Sequence, residues 1–72
     1  MYIIQEIQTT DGATAVTPAV PKTSKNEAES AYYLALGAAA VSSVPLHAVV
    51  MIDDHGEVLH SGFYEHPTPA TV

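Results

Sequence analysis

Hydrophobic and polar positions alternate from the first residues of the chain. In "MYIIQEIQT" Tyr2, Ile4 and Glu6 fall on one side, and Ile3, Gln5 and Ile7 on the other. A period of two with β-branched residues predicts a strand. Asp11-Gly12 follows, a two-residue hairpin signal because glycine accepts positive φ without steric cost. "ATAVT" then returns as a second strand, expected to stop at Pro18, with Pro21 preventing its resumption.

The period changes at "TSKNEAES". Ser24 as N-cap and Glu27 three residues on make a capping box, which starts a helix expected from about Lys25 to about Ser42. Ser42, Ser43 and Pro45 close it, since the residue before a proline is pushed out of the α region. Ala28, Ala31, Tyr32, Ala35, Ala38, Ala39 and Ser42 form a stripe at helical spacing that can lie on a sheet. Tyr33, Leu36, Gly37 and Ala40 occupy another side. Small residues there let a second backbone approach, either this chain's own sheet or the helix of another subunit.

"LHAVVMID" and "EVLHSGFYE" read as two further strands around the turn "DDHG". With Asp54, His55 and Gly56 as the loop, Asp53 faces Glu57, Met51 faces Leu59, Val49 faces Ser61 and His47 faces Phe63. His60, Gly62 and Tyr64 then share the opposite side with Leu46, Ala48, Val50 and Ile52. The expected fold is α+β, in the order β-β-α-β-β: two hairpins form an antiparallel sheet with one helix packed on a face. A single domain is expected over residues 1–66, followed by a flexible, proline-containing tail over 67–72. Both faces of the second hairpin are apolar, and one helix covers only one of them. A second chain is expected to cover the rest, making a homo-oligomer, dimer or higher.

From Ala31 to Ile52 the chain has no Asp, Glu, Lys or Arg, a length that approaches a bilayer span. Ser42, Ser43, Pro45 and His47 interrupt it, no cation anchors either end, and the composition changes at Pro45 from Ala-rich to Val/Ile-rich. That is the pattern of a helix followed by a strand, so no membrane association is expected.

Composition narrows the function classes. The 72 residues contain no cysteine, which excludes disulfides, thiolate zinc sites and thiol catalysis. Eight acids against two lysines, and a formal charge of −6, exclude direct nucleic-acid binding, which rests on several Lys or Arg contacts to phosphate. No basic start with an apolar h-region is present, so a cytoplasmic location is expected. A chain this short buries a thin core and usually needs a staple, here another subunit.

Candidate chemistry is sparse. His47, His55, His60 and His66 lack the short spacings of metal sites, and the register above separates His47 from His60. His60 and His66 could share an ion only if the tail folded back. "DDHGE" lacks the spacing of a calcium loop. Ser42, Ser43 and Ser61 have no nucleophile-elbow surroundings and no phosphate loop occurs. No catalytic residue, metal or cofactor is expected, and the chain reads as a non-enzyme. Tyrosines combine apolar area with a polar tip and favour interfaces. The binding or interface candidates are therefore Tyr33, Leu36, Gly37, Ala40, His47, His60, Phe63 and Tyr64. Lys22, Ser24, Lys25 and Asn26, at the start of the helix, form a candidate anion site.

"MYIIQEIQTTDG", "KNEAES" and "VVMIDDHGEVLHSGFYE" together resemble small proteins encoded in phages and prophages of Firmicutes, over most of the chain up to about His66. Those open with a strand, carry a helix that begins "EA" and end in a hairpin. No functional residue carries over from them. The resemblance implies a phage-type protein in the host cytoplasm that acts by stoichiometric binding, a counter-defence inhibitor of a host protein. Two other readings stay open: an oligomeric sponge that sequesters a nucleotide immune signal between subunits, and a virion or tail-assembly accessory protein.

Overall fold

The computed structural model describes residues 1–67. Five strands and one helix follow in the order β1 (Tyr2–Thr10), β2 (Ala13–Val16), β3 (Val20–Lys22), α1 (Lys25–Ala40), β4 (Leu46–Asp53) and β5 (Val58–Glu65). The fold is α+β, a helix laid across one face of an antiparallel sheet. Strands run in the order β2-β1-β4-β5, and β3 continues the β2 edge by pairing with β1. The two expected hairpins are joined by β1 and β4, which pair antiparallel along eight residues. No helix among the described residues is long and apolar enough to cross a membrane. Of the expected tail, only Pro67 falls within the described residues.

The turn at Asp11-Gly12 forms as its residues require, with φ of 52° and 81°. Beyond it the structure adds a strand. Pro21 pairs with Ile3 in β3, contrary to the expectation that it would stop pairing. An edge strand tolerates a residue without an N–H. Thr17 carries the ladder across the break before Pro18. Its N–H donates to the Glu6 carbonyl at 3.0 Å, its Oγ1 accepts from the Glu6 N–H at 3.0 Å, and its carbonyl accepts from Gln5 Nε2 at 2.9 Å.

The helix begins at its predicted N-cap, where Ser24 Oγ accepts a long bond from the Glu27 N–H at 3.5 Å. It ends at Ala40, slightly short of Ser42. His66 Nε2 donates to the Ala39 carbonyl at 2.8 Å, and the His66 N–H donates to the Pro45 carbonyl at 2.7 Å. A side chain just past the last strand thus adds a second donor to a carbonyl in the final turn of the helix, which the Ser42 N–H also reaches at 3.3 Å.

The second hairpin closes as expected, with the Asp53 N–H donating to the Glu57 carbonyl at 3.0 Å. Its register then shifts. Ile52 pairs with Val58 but Met51 pairs with His60, so Leu59 is an extra residue in β5. Past that bulge every β5 side chain is on the opposite face from the one a regular register assigns. Val49 faces Gly62 rather than Ser61, and His47 faces Tyr64 rather than Phe63. His47 and His60 therefore lie on the same, helix-covered face, a correction to the expected separation. The bulge lets consecutive Leu59 and His60 both serve that face: Leu59 packs on the core and His60 reaches Glu29 on the helix.

The core sits between helix and sheet. It is built on Ile4, Val49 and Met51 from the strands and Ala28, Tyr32 and Ala39 from the helix, all buried. Leu36 packs against this cluster, so it belongs to the face that meets the chain's own sheet. Gly62 is what admits it. A Cβ at Gly62 would stand 3.0 Å from both Leu36 Cδ1 and Tyr32 Oη, so any larger residue there requires those two side chains to give way. Gly37, which the sequence singled out for such a role, is exposed with nothing within 4 Å of a built Cβ.

No layer among the described residues covers the other face of the sheet. Two cross-strand rows on it are apolar from edge to edge: Val16, Ile7, Ala48 and Phe63 form one, and Pro21, Ile3, Ile52 and Val58 the other. Between them lies a row of Gln5, Val50 and Ser61.

Candidate interaction surfaces

The structure distributes the interface candidates over four places. Beneath the helix, His47 is 5% exposed and its Nε2 lies 2.7 Å from Glu6 Oε1. Its Nδ1 is buried without a hydrogen-bond partner among the described residues. His47 therefore offers no surface to a partner.

At the flank of the helix, His60 Nε2 lies 2.9 Å from Glu29 Oε2, both half-buried. Tyr32 stacks on the His60 ring with centroids 5.3 Å apart, Tyr33 lies 5.7 Å away, and the two tyrosines meet edge-on at 5.1 Å. Burial, and after it the neighbouring Tyr33 and Tyr64 phenols, push the Tyr32 hydroxyl above its ordinary value of 10.0. Both ring nitrogens of a histidine act in one or another tautomer, but here one is committed to Glu29. Tyr64 ends the same face, exposed and stacked on His66 at 6.5 Å. His60 and His66 hold different partners and do not converge on one point.

The two exposed apolar surfaces lie on opposite sides of the molecule. On the outer side of the helix, Tyr33 is 55%, Leu34 78% and Val41 86% exposed, with Gly37 and Ala38 open between them. Of the expected interface residues on the helix, Tyr33 and Gly37 lie here, whereas Leu36 packs on the sheet and Ala40 is half-buried; Leu34 and Val41, absent from that expectation, are the exposed aliphatic residues. The missing signal is a helical wheel centred on the buried residues. At about 100° per residue, Leu34 falls about 240° from Ala28 and Val41 about 220°, facing away from the Ala28–Tyr32–Ala39 stripe. On the far side of the sheet, Phe63 is 61% and Val58 58% exposed, and a shallow hollow runs over Ala48 and Ser61 between Ile7, Leu46 and Phe63.

Polar clusters are confined to loop ends. Asp53, Asp54 and His55 each offer one ligand atom, all within 4.8 Å. Asp53 Oδ1, however, already accepts from the His55 and Glu57 N–H groups at 2.9 Å each, and Asp54 lies 3.4 Å from the N-terminal amine. These backbone bonds, led by that of Glu57, hold the Asp53 carboxyl below its ordinary value of 3.8. Of the candidate anion residues, Ser24 is engaged in capping, and Lys22, Lys25 and Asn26 stand near it. Lys25 borders the same depression as Asp53 and Asp54, so an anion approaching it meets two carboxylates.

No protein-family model, no curated protein and no solved structure matches this chain.

Proposed function

We propose that this chain acts without catalysis, by stoichiometric binding to another protein through the outer face of its helix. The observation that carries this reading is the exposure of Leu34 on the outer side of the helix and of Val41 at its C-cap, two large aliphatic side chains, while the other side of the helix is packed on the sheet. Burying such a patch is worth about 1.5–3 kcal/mol for each large side chain. Gly37 and Ala38 leave room between them for a partner's side chain or backbone. With a formal charge of −6 over the chain as a whole, the fitting partner has an apolar groove rimmed by Lys or Arg. Together with the resemblance to phage-encoded proteins, this supports a counter-defence inhibitor that occupies a host protein in the host cytoplasm.

The test is capture from a Firmicutes host lysate at micromolar concentration with three baits: the unaltered chain, Leu34→Asp and Phe63→Asp. A host protein retained in fixed ratio by the first and third, and lost with Leu34→Asp, is the expected result. If nothing is retained, or if Leu34→Asp retains the same protein equally well, this reading of the helix is wrong.

A further inference from the structure

We propose that the uncovered face of the sheet is closed by a second copy of this chain. The product is a two-fold sandwich with the two sheets inside and the two helices outside. Three observations single out a second copy as the occupant.

The first is charge. Among the residues that alternate onto this face along β1, β4 and β5 past the bulge, Glu65 at the strand end is the one acid, although the chain carries eight. Glu6 lies on the helix side bonded to His47, Glu27 and Glu29 are on the helix, and Asp11, Asp53, Asp54 and Glu57 are at turns. Two copies of a chain with a formal charge of −6 can therefore meet on this face with little like-charge repulsion. A basic partner, which the rest of the surface suits, finds almost nothing on this face to pair with.

The second is shape. The rows Val16–Ile7–Ala48–Phe63 and Pro21–Ile3–Ile52–Val58 lie on either side of Val50. A two-fold axis near Val50 sets the same pattern against itself, the large Phe63 and Val58 of one copy lying over the hollow at Ala48 and Ser61 of the other. Sheets packed this way lie about 10 Å apart with strands inclined by about 30°.

The third is area. Four strands at about 4.8 Å spacing and about 27 Å length present about 500 Å² per copy, or about 1,000 Å² for the pair. That sits at the lower limit for a specific interface and predicts a dimer that dissociates at low micromolar concentration or above. The gain goes to the chain that needs it. Only six apolar residues are buried among the described residues of the single copy, two of them alanines on the helix, and there is no cysteine to staple the fold.

The sandwich turns the two helices outward on opposite sides. Resting on the helix-face reading above, this makes the dimer bivalent for its partner. The dimer itself stands without that reading.

The experiment measures mass by light scattering across a concentration series, with far-UV circular dichroism as the check on folding. The expected result is a rise from 7.6 kDa toward twice that value. Phe63→Glu and Val58→Glu, both at exposed positions that the monomer core does not use, are expected to weaken the dimer by about tenfold or more. Leu34→Asp is expected to leave the mass unchanged, which separates this interface from the partner surface. In a mixed sample of labelled and unlabelled chain, intermolecular NOEs between methyls of Ile7, Val50 and Val58 locate the contact without any substitution. A mass that stays at 7.6 kDa up to about 1 mM chain overturns the proposal. So do intermolecular contacts confined to Leu34 and Val41, or to the backbone of β5 paired edge to edge with its copy.

Discussion

His47 and Glu6 form a diagonal pair across β1 and β4, Nε2 to Oε1 at 2.7 Å, closed over by the helix. Glu6 faces Val49 and His47 faces Gln8 in the register, so the two side chains reach along the sheet rather than straight across it. The bond uses one ring nitrogen and leaves Nδ1 buried and unpartnered. Removing Glu6 strands the whole imidazole, whereas removing the imidazole leaves a carboxylate that is still partly in contact with water. Glu6→Ala is therefore expected to lower stability by about 1–3 kcal/mol, the penalty of an unsatisfied buried polar group. His47→Leu is expected to cost less, since it also removes Nδ1. Urea denaturation of the two variants measures the difference, and an equal or larger loss for His47→Leu contradicts this account of the pair.

The glycines separate in sign. Gly62→Ala places a methyl group 3.0 Å from Leu36 Cδ1 and Tyr32 Oη. Tyr32 is 3% exposed and held against His60, so it has little room to yield, and a loss of about 1–3 kcal/mol is expected from overpacking. Gly37→Ala meets open space in a helix interior and is expected to stabilise by about 0.5–1 kcal/mol. Thermal or chemical unfolding of both variants reads the opposite signs directly.

Asp53 ties acid stability to the turn. Its carboxylate accepts from the His55 and Glu57 N–H groups, which lowers its proton affinity in the folded state. A group whose folded value lies below its unfolded one stabilises above the unfolded value. That contribution is lost as pH falls through the folded value. The window therefore lies below the ordinary value of 3.8. Asp53→Asn keeps one acceptor oxygen but no longer titrates, so its stability is expected to fall less steeply with acid than that of the unaltered chain. Urea midpoints between about pH 5 and pH 2 give the comparison.

His66 joins the end of the last strand to the end of the helix through the Ala39 carbonyl. His66→Ala is expected to cost about 0.5–1.5 kcal/mol, the net worth of one hydrogen bond. The loss is local. Amide exchange at Val41 and Ser42, whose N–H groups donate to Ala38 and Ala39 at 3.3 Å, is expected to accelerate before exchange in β4 does.

The element order was legible along the chain because local chemistry decides it. Alternation marked β1, a run of β-branched and apolar residues marked β4 with β5 returning from its turn, Asp11-Gly12 supplied a turn with two positive φ values, Ser24 marked the helix start, and Pro45 limited its end. The excess of apolar positions over what one helix can cover was legible too, as composition. The pairing was not. Leu59 adds one residue to β5, and because side chains alternate with period two, that single residue decides which of His60 or Ser61 faces the core. Nothing local distinguishes a regular strand from a bulged one here. The choice is made by the helix, which places Leu36 over Gly62 and Glu29 beside His60. The same packing half-buries Leu36 and exposes Leu34, on a helix that is apolar on every side from Ala31 onward. Such a helix carries almost no amphipathic signal, so only contact with the sheet orients it. Surplus apolar surface follows from composition alone; that it lies at Leu34 and Val41 on one side and at Phe63 and Val58 on the other follows from how helix and sheet pack.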